Sequence, residues 1–307
     1  YAQNDKFKKR FYEFSLKFPR RANTNMKTVH SDGDYIFESK NVHASFEAHT
    51  CEDCKYLFSV KYAKDSYDCT GFGFDSELLL ENVGVGYSHR VIGSYWVDNS
   101  TDIAYSFAVR GSKDCFGADA VKNSQYVILN KRYSKEHYEG VRSAIVDALK
   151  REQTYGLFMP PSIAPFGYNE TIGQDNLPLT REEAHAEGLP WQDNPVITKG
   201  KETMRPEQIP DHIRDAGDAL LNEVLACITC GRNYRLIPAE LAFHRQMLIP
   251  IPRKCFFCRH QERIQRRGPF LLFNRTCAYC KKAIRTTFAP TRPEIVYCEE
   301  CYQREVI

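Results

Sequence analysis

The chain has no apolar run approaching the roughly 18 residues of a membrane-spanning helix, so no membrane partner is expected. It also lacks the motifs that mark many enzymes. There is no His-x-x-x-His pair and no nucleophile elbow, and Gly71-Phe72-Gly73 and Gly84-Val85-Gly86 are too short to cradle a phosphate. No signal-peptide pattern is present, and a cytoplasmic protein is expected. The chain starts at Tyr1 rather than Met, which suggests a fragment or a processed product. Net charge is small, at +3 over 307 residues, yet it is unevenly spread. From Cys227 to Ile307 there are 15 Lys/Arg against 6 Asp/Glu, whereas the remainder carries 27 against 33. A basic end of this kind suits an anionic partner.

What the chain does have is cysteine in a pattern. Eight of its 12 cysteines form four Cys-x-x-Cys pairs within the last 81 residues. Two thiolates three residues apart in a tight turn reach one tetrahedral ion, and a second pair completes its shell. The expected ligand sets are Cys227, Cys230, Cys255 and Cys258, then Cys277, Cys280, Cys298 and Cys301, with two zinc ions as cofactors. Iron is the weaker candidate for four sulfurs. A shell closed by four thiolates leaves no position for water, so these sites read as structural.

Upstream, Phe7, Phe11, Phe14 and Phe18 fall at helical intervals and predict an amphipathic helix packed on its own protein. Residues 34–131 carry an internal repeat. Asn41-Val42, Asp53-Cys54, Asp65-Ser66, Asp75-Ser76, Asp102-Ile103, Asp114-Cys115 and Asn123-Ser124 recur mostly at intervals of 9 to 13. Twelve residues are short for a closed coil, so the expectation is a mainly β fold built on paired arms. It comprises a β-solenoid of about four rungs of ~24 residues, with Asp/Asn at left-handed corners and Cys54, Cys69 and Cys115 stacked inside. A third metal site from Cys51, Cys54 and Cys69 with His43 or His49 is a side expectation.

Ser134 caps an expected helix over the end of the coil, and Thr180 with Glu183 forms a capping box. The domain reading is 1–33 lead-in helix, 34–131 solenoid, 132–193 helical cap with a Pro/Gly-rich segment, 194–211 linker, and 212–307 a double four-cysteine region of zinc-ribbon or treble-clef type. Within that last region Arg253, Lys254, Arg259, Arg263, Arg266 and Arg267 stand near Phe256, Phe257 and Phe270, and arginines at helical spacing can track a phosphate backbone. Phe256 and Phe257 are expected to form the small core around the metal, and pairing of these cations with Glu240 and Glu262 is the structural alternative.

Several strings add a resemblance. They are Lys113-Asp114-Cys115-Phe116-Gly117, Tyr133-Ser134-Lys135-Glu136, Pro165 to Thr171, Pro178-Leu179-Thr180, Pro250 to Cys255 and Pro290 to Cys298. Through them the chain resembles a family of uncharacterised zinc-ribbon repeat proteins of candidate-phyla (Patescibacteria) bacteria. The resemblance implies this same architecture, and a further zinc-ribbon module ahead of the repeats in similar members. It also implies that family repeats richer in cysteine have Ser, Val or Ile at several positions here, which argues against a metal role for those positions.

Three functions follow from the residues. The first is a non-enzymatic protein that binds RNA or DNA through its basic zinc region and offers the solenoid to a partner. The alternative is a protein–protein scaffold without nucleic acid. The third is an enzyme acting on a polymer in a solenoid groove through Asp68, Glu77 or Glu81.

Overall fold

A residue with φ near +50° recurs at every third position from Tyr35 to Leu129, interrupted once at 71–75. This spacing sets the architecture. Each left-handed residue turns the chain, and the residue after it points inward: Val91 follows Arg90, Ser94 follows Gly93, Val97 follows Trp96 and Ser100 follows Asn99. Four such corners close one coil in 12 residues. Parallel pairing accordingly runs Leu79 to Val91, Val91 to Ile103, Ile103 to Cys115 and Cys115 to Val127. The computed structural model, which describes residues 2–307 and side chains from residue 3, is a β-solenoid of about eight coils. The expected four rungs of ~24 residues are therefore corrected to twice as many of half the length. One extra residue enters where Lys61 pairs Gly73 but Ala63 pairs Ser76, a bulge that preserves the interior columns.

The interior alternates aliphatic and hydroxyl side chains. Leu79, Val91, Ile103, Cys115 and Val127 stack in one column, and Val85, Val97 and Val109 in another; all are at most 3% exposed. Each buried aliphatic contributes about 1.5–3 kcal/mol, which offsets the cost of about 1–2 kcal/mol at each non-glycine left-handed corner. Between these columns run serines. The amide of Ser88 donates to Ser76 Oγ (3.0 Å), that of Ser100 to Ser88 Oγ (3.1 Å) and that of Ser112 to Ser100 Oγ (3.1 Å). Each hydroxyl in turn donates to a carbonyl two or three residues back. On the opposite side Asn82, Ser94 and Ser106 do the same for Ser94, Ser106 and Ala118. Buried amides at the corners thus find acceptors. All seven Asp/Asn repeat anchors have positive φ, as expected. Cys54, Cys69 and Cys115 are also inside, at most 3% exposed.

The helices are α1 (Ala2–Ser15), α2 (Lys135–Arg151), α3 (Ile172–Asn176), α4 (Arg181–Ala186), α5 (Pro238–Gln246), α6 (Phe256–Arg267) and α7 (Glu299–Val306). The chain forms two compact units. One comprises residues 20–163, 270–292 and 296–307; the other comprises 1–19, 164–269 and 293–295.

In the solenoid unit, Ser134 caps α2 by accepting from the amide of His137. Tyr138 and Val146 of α2 seat on an outer apolar column of Ala104, Phe116 and Ile128. The last coil folds back as a hairpin, Gln125–Ile128 against Lys131–Arg132, and Arg132 Nη2 donates to Ser124 Oγ at the end of the serine column. At the first coil, Thr287 Oγ1 donates to Asp34 Oδ2 (2.9 Å) and Arg285 pairs with Asp32 (2.5 Å). The strand Arg20–Arg21 pairs parallel with Val296–Tyr297.

The other unit has a separate core of Ile209, Ile213, Leu220, Leu225, Leu236, Leu241 and Ile251. The stretch 194–211 feeds this core: Ile209 is buried and Met204 bridges Leu225. The Thr180–Glu183 capping box is present on α4. Helix α1 forms, but Phe7, Phe11, Phe14 and Phe18 are 50–68% exposed, so the expected packing of its apolar face is corrected.

Candidate metal centres

Each expected cysteine set converges, with its four sulfurs within 4.8 Å of one another. The same local device builds both. A short antiparallel hairpin presents the first pair: Leu225–Ala226 with Asn233–Tyr234 in one case, Phe273–Thr276 with Ala283–Thr286 in the other. In the first, the amide of Cys227 donates to the Arg232 carbonyl and that of Gly231 to the Cys227 carbonyl. In the second, Cys277 donates to Lys282 and Lys281 to Cys277. The turn requires a left-handed residue at Gly231 (φ +70°) and Lys281 (φ +63°), and glycine meets this without strain. A helix presents the second pair. Cys255 is the N-cap of α6 and Cys298 the N-cap of α7, with Cys258 and Cys301 in the first turns. A hairpin knuckle plus a helix N-terminus builds each cluster, within the zinc-ribbon or treble-clef type expected for this region.

The donor chemistry fits a cation. Desolvation pushes the Cys227 thiol up, but hydrogen bonds from the backbone of Cys255, Cys230 and Thr229 outweigh it and bring the thiol down to about 6. Cys277 likewise falls to about 6. Burial and the neighbouring sulfurs push Cys258 up, and Cys301 up to about 12. Four sulfurs this close cannot all ionise without a counter-charge. A bound cation removes that conflict by neutralising the mutual repulsion of the sulfurs. Each set can hold one metal ion, and neither leaves a cysteine over.

Cys51, Cys54 and Cys69 behave differently. Among the described residues they join no cluster of metal-ligating groups. Their thiols donate to the carbonyls of His49, Glu52 and Tyr67, and burial pushes Cys54 and Cys69 up to about 12. They are core side chains, and the side expectation of a third site is corrected.

The six basic residues divide. Arg253 donates to Ile209 O and Asp211 (both 2.8 Å), Lys254 pairs with Glu262, Arg259 with Glu240 (3.2 Å) and Arg267 with Asn176. Arg263 and Arg266 are exposed on α6. Phe256 and Phe257, expected in the core, are instead 58% and 56% exposed. Arg232, which charge spacing had not singled out, stacks over Phe257 at 4.1 Å, and Arg263 lies over Phe256 at 6.0 Å. The Cys-Phe-Phe-Cys spacing was the available signal, because two cysteines that turn to one cluster leave the two residues between them facing away from it.

The three carboxylates of the enzyme reading do not share one setting. Glu77 pairs with His89 (3.2 Å), whereas Asp68 and Glu81 follow one another at a different corner. Burial raises the pKa of both above the ordinary carboxyl value. No family model matches the chain, and no curated protein matches it either. No described helix is long and apolar enough to cross a membrane.

Proposed function

We propose that this is a non-enzymatic, zinc-stabilised protein that binds single-stranded RNA or DNA through the first four-cysteine module. The observation that carries this is the exposed Phe256–Phe257 pair flanked by Arg232 and Arg263, with Arg266 also exposed on the same helix. Aromatic faces stack on bases of any identity, and guanidiniums beside them neutralise phosphates. Zinc suits four thiolates, and tetrahedral zinc–sulfur bonds of about 2.3 Å imply sulfur separations of about 3.8 Å. Cys230 and Cys255 are 3.8 Å apart, and Cys280 and Cys298 are 3.7 Å apart. Metal-bound and buried reduced thiols suit a reducing compartment such as the cytoplasm.

Fluorescence anisotropy with mixed-sequence RNA and DNA oligonucleotides across a salt series tests this reading. Micromolar binding that weakens with salt, and at least tenfold with Phe256→Ala/Phe257→Ala, supports it. Absent or salt-insensitive binding overturns it.

A scaffold role is the second reading, favoured by the exposed row of Phe72, Tyr87, Tyr95, Trp96 and Phe107 on the solenoid. A defined assembly free of nucleic acid on size-exclusion chromatography, lost on Trp96→Ser, marks that outcome.

A further inference from the structure

A cleft of about 480 Å³ opens between the side of the solenoid and the segment around α2. Its volume lies within the range of small-molecule sites. Leu80, Ile92 and Ala104 line it from three successive coils, one residue per coil. Strand spacing of about 4.8 Å makes this a straight apolar track of about 10 Å. Leu78, 43% exposed, extends the apolar lining. Such a track suits a linear chain better than a bulky ring system.

Four charged residues also line the cleft: Asp65, Arg90, Asp102 and Arg142. Arg90 is held by both oxygens of Asp102 (2.5 and 2.7 Å), so those two charges cancel. Arg142 of α2 also lines the cleft and acts electrostatically on Asp102. It makes no hydrogen bond or ion pair among the described residues, although it is only partly exposed. Arg142 is therefore the one guanidinium of the lining without a bonded carboxylate, and it stands beside an apolar track. A half-buried guanidinium without an acceptor gains most from an oxyanion with two oxygens in one plane.

We infer that this cleft binds a linear monocarboxylate of medium chain length, its head on Arg142 and its chain along Leu80, Ile92 and Ala104. Asp65 lies elsewhere on the lining and disfavours a second anionic group on the ligand. The cleft uses no metal centre and none of the residues assigned to nucleic acid, so it stands apart from the reading above.

Octanoate, octanol and octylammonium serve as probes, with the full chain and isothermal titration calorimetry as the readout. Octanoate binds at one site per chain, at least tenfold more tightly than octanol, and octylammonium gives no heat. Arg142→Gln weakens octanoate at least tenfold while leaving octanol unchanged. Leu78→Gln, at an exposed position, weakens both severalfold. The inference is overturned if octanoate does not bind at millimolar concentration. It is also overturned if octanol binds as tightly, or if Arg142→Gln, with an unchanged thermal melt, binds octanoate as the natural chain does.

Discussion

Removing one hydroxyl from the serine column isolates the interaction that closes the solenoid interior. Ser100 is 3% exposed; its Oγ accepts from the Ser112 amide at 3.1 Å and donates to the Asp98 carbonyl at 2.8 Å. The Asp98 carbonyl keeps a second donor, the Gly111 amide at 3.0 Å, so its loss is small. The Ser112 amide keeps nothing. An orphaned buried N–H costs about 1–3 kcal/mol, and the lost hydroxyl bond adds a few tenths. Ser100→Ala should therefore cost about 2 kcal/mol, and its damage should be local, because coils couple chiefly to their neighbours. Ser124→Ala is the matched control: its hydroxyl faces only Arg132 and the Lys122 carbonyl at the end of the column, and its removal should cost under about 0.5 kcal/mol. Amide hydrogen exchange at Ser112, together with urea unfolding, reads both effects. Unchanged protection of the Ser112 amide and a cost below about 0.5 kcal/mol for Ser100→Ala would refute the column as a stabilising device.

Thiol accessibility should fall into two classes. At pH 8 a chelator exposes the eight cysteines of the two sets to alkylation, whereas Cys51, Cys54, Cys69 and Cys115 stay unlabelled until denaturation, as mass spectrometry will show. Their burial, which lifts Cys54 and Cys69 to about 12 and Cys115 to about 11, is the cause. Hydrogen bonds from Arg90 hold the Asp102 carboxyl below its ordinary range. A depressed carboxyl stabilises the fold above its unfolded value of about 3.9, and that contribution is lost as pH falls through the folded value. The pair is partly exposed, so the effect should stay below about 1 kcal/mol, and Arg90→Met should abolish that part of the acid dependence in urea titrations at pH 6 and pH 3. Cys298→Ser should lose one metal ion and loosen the first coil, raising hydrogen exchange near Asp34, because the second module bonds that residue.

Much of this was legible in residue chemistry, and the rest was hidden for definable reasons. Asp and Asn tolerate left-handed backbone, so the corner through Asp53, Asp65, Asp102 and Asp114 could be read directly. Two further corners carry Tyr56 and Leu129, and Trp96 and Ala108, which have no such preference, so four turns within 12 residues stayed hidden and a 12-residue coil looked too short to close. Serines at 88, 94, 100, 106 and 112 resemble loop residues, although their hydroxyls face inward and serve the neighbouring coil. The cysteine sets were fully legible because Cys-x-x-Cys spacing encodes the knuckle itself. Pairing of Arg259 with Glu240 and Lys254 with Glu262 was visible as an alternative, but that of Arg253 with Asp211 depends on a distant segment of the fold. Phe256 and Phe257 were misplaced because hydrophobicity alone does not distinguish a small core from an exposed aromatic pair.

The most direct test of the account is the metal content of the purified full chain, by elemental mass spectrometry alongside a thiol count. Two zinc ions per chain, with eight thiols released together with the metal by a chelator, is the predicted result. A content near zero contradicts the two closed thiolate centres, and a content near three contradicts the assignment of Cys51, Cys54 and Cys69 to the core.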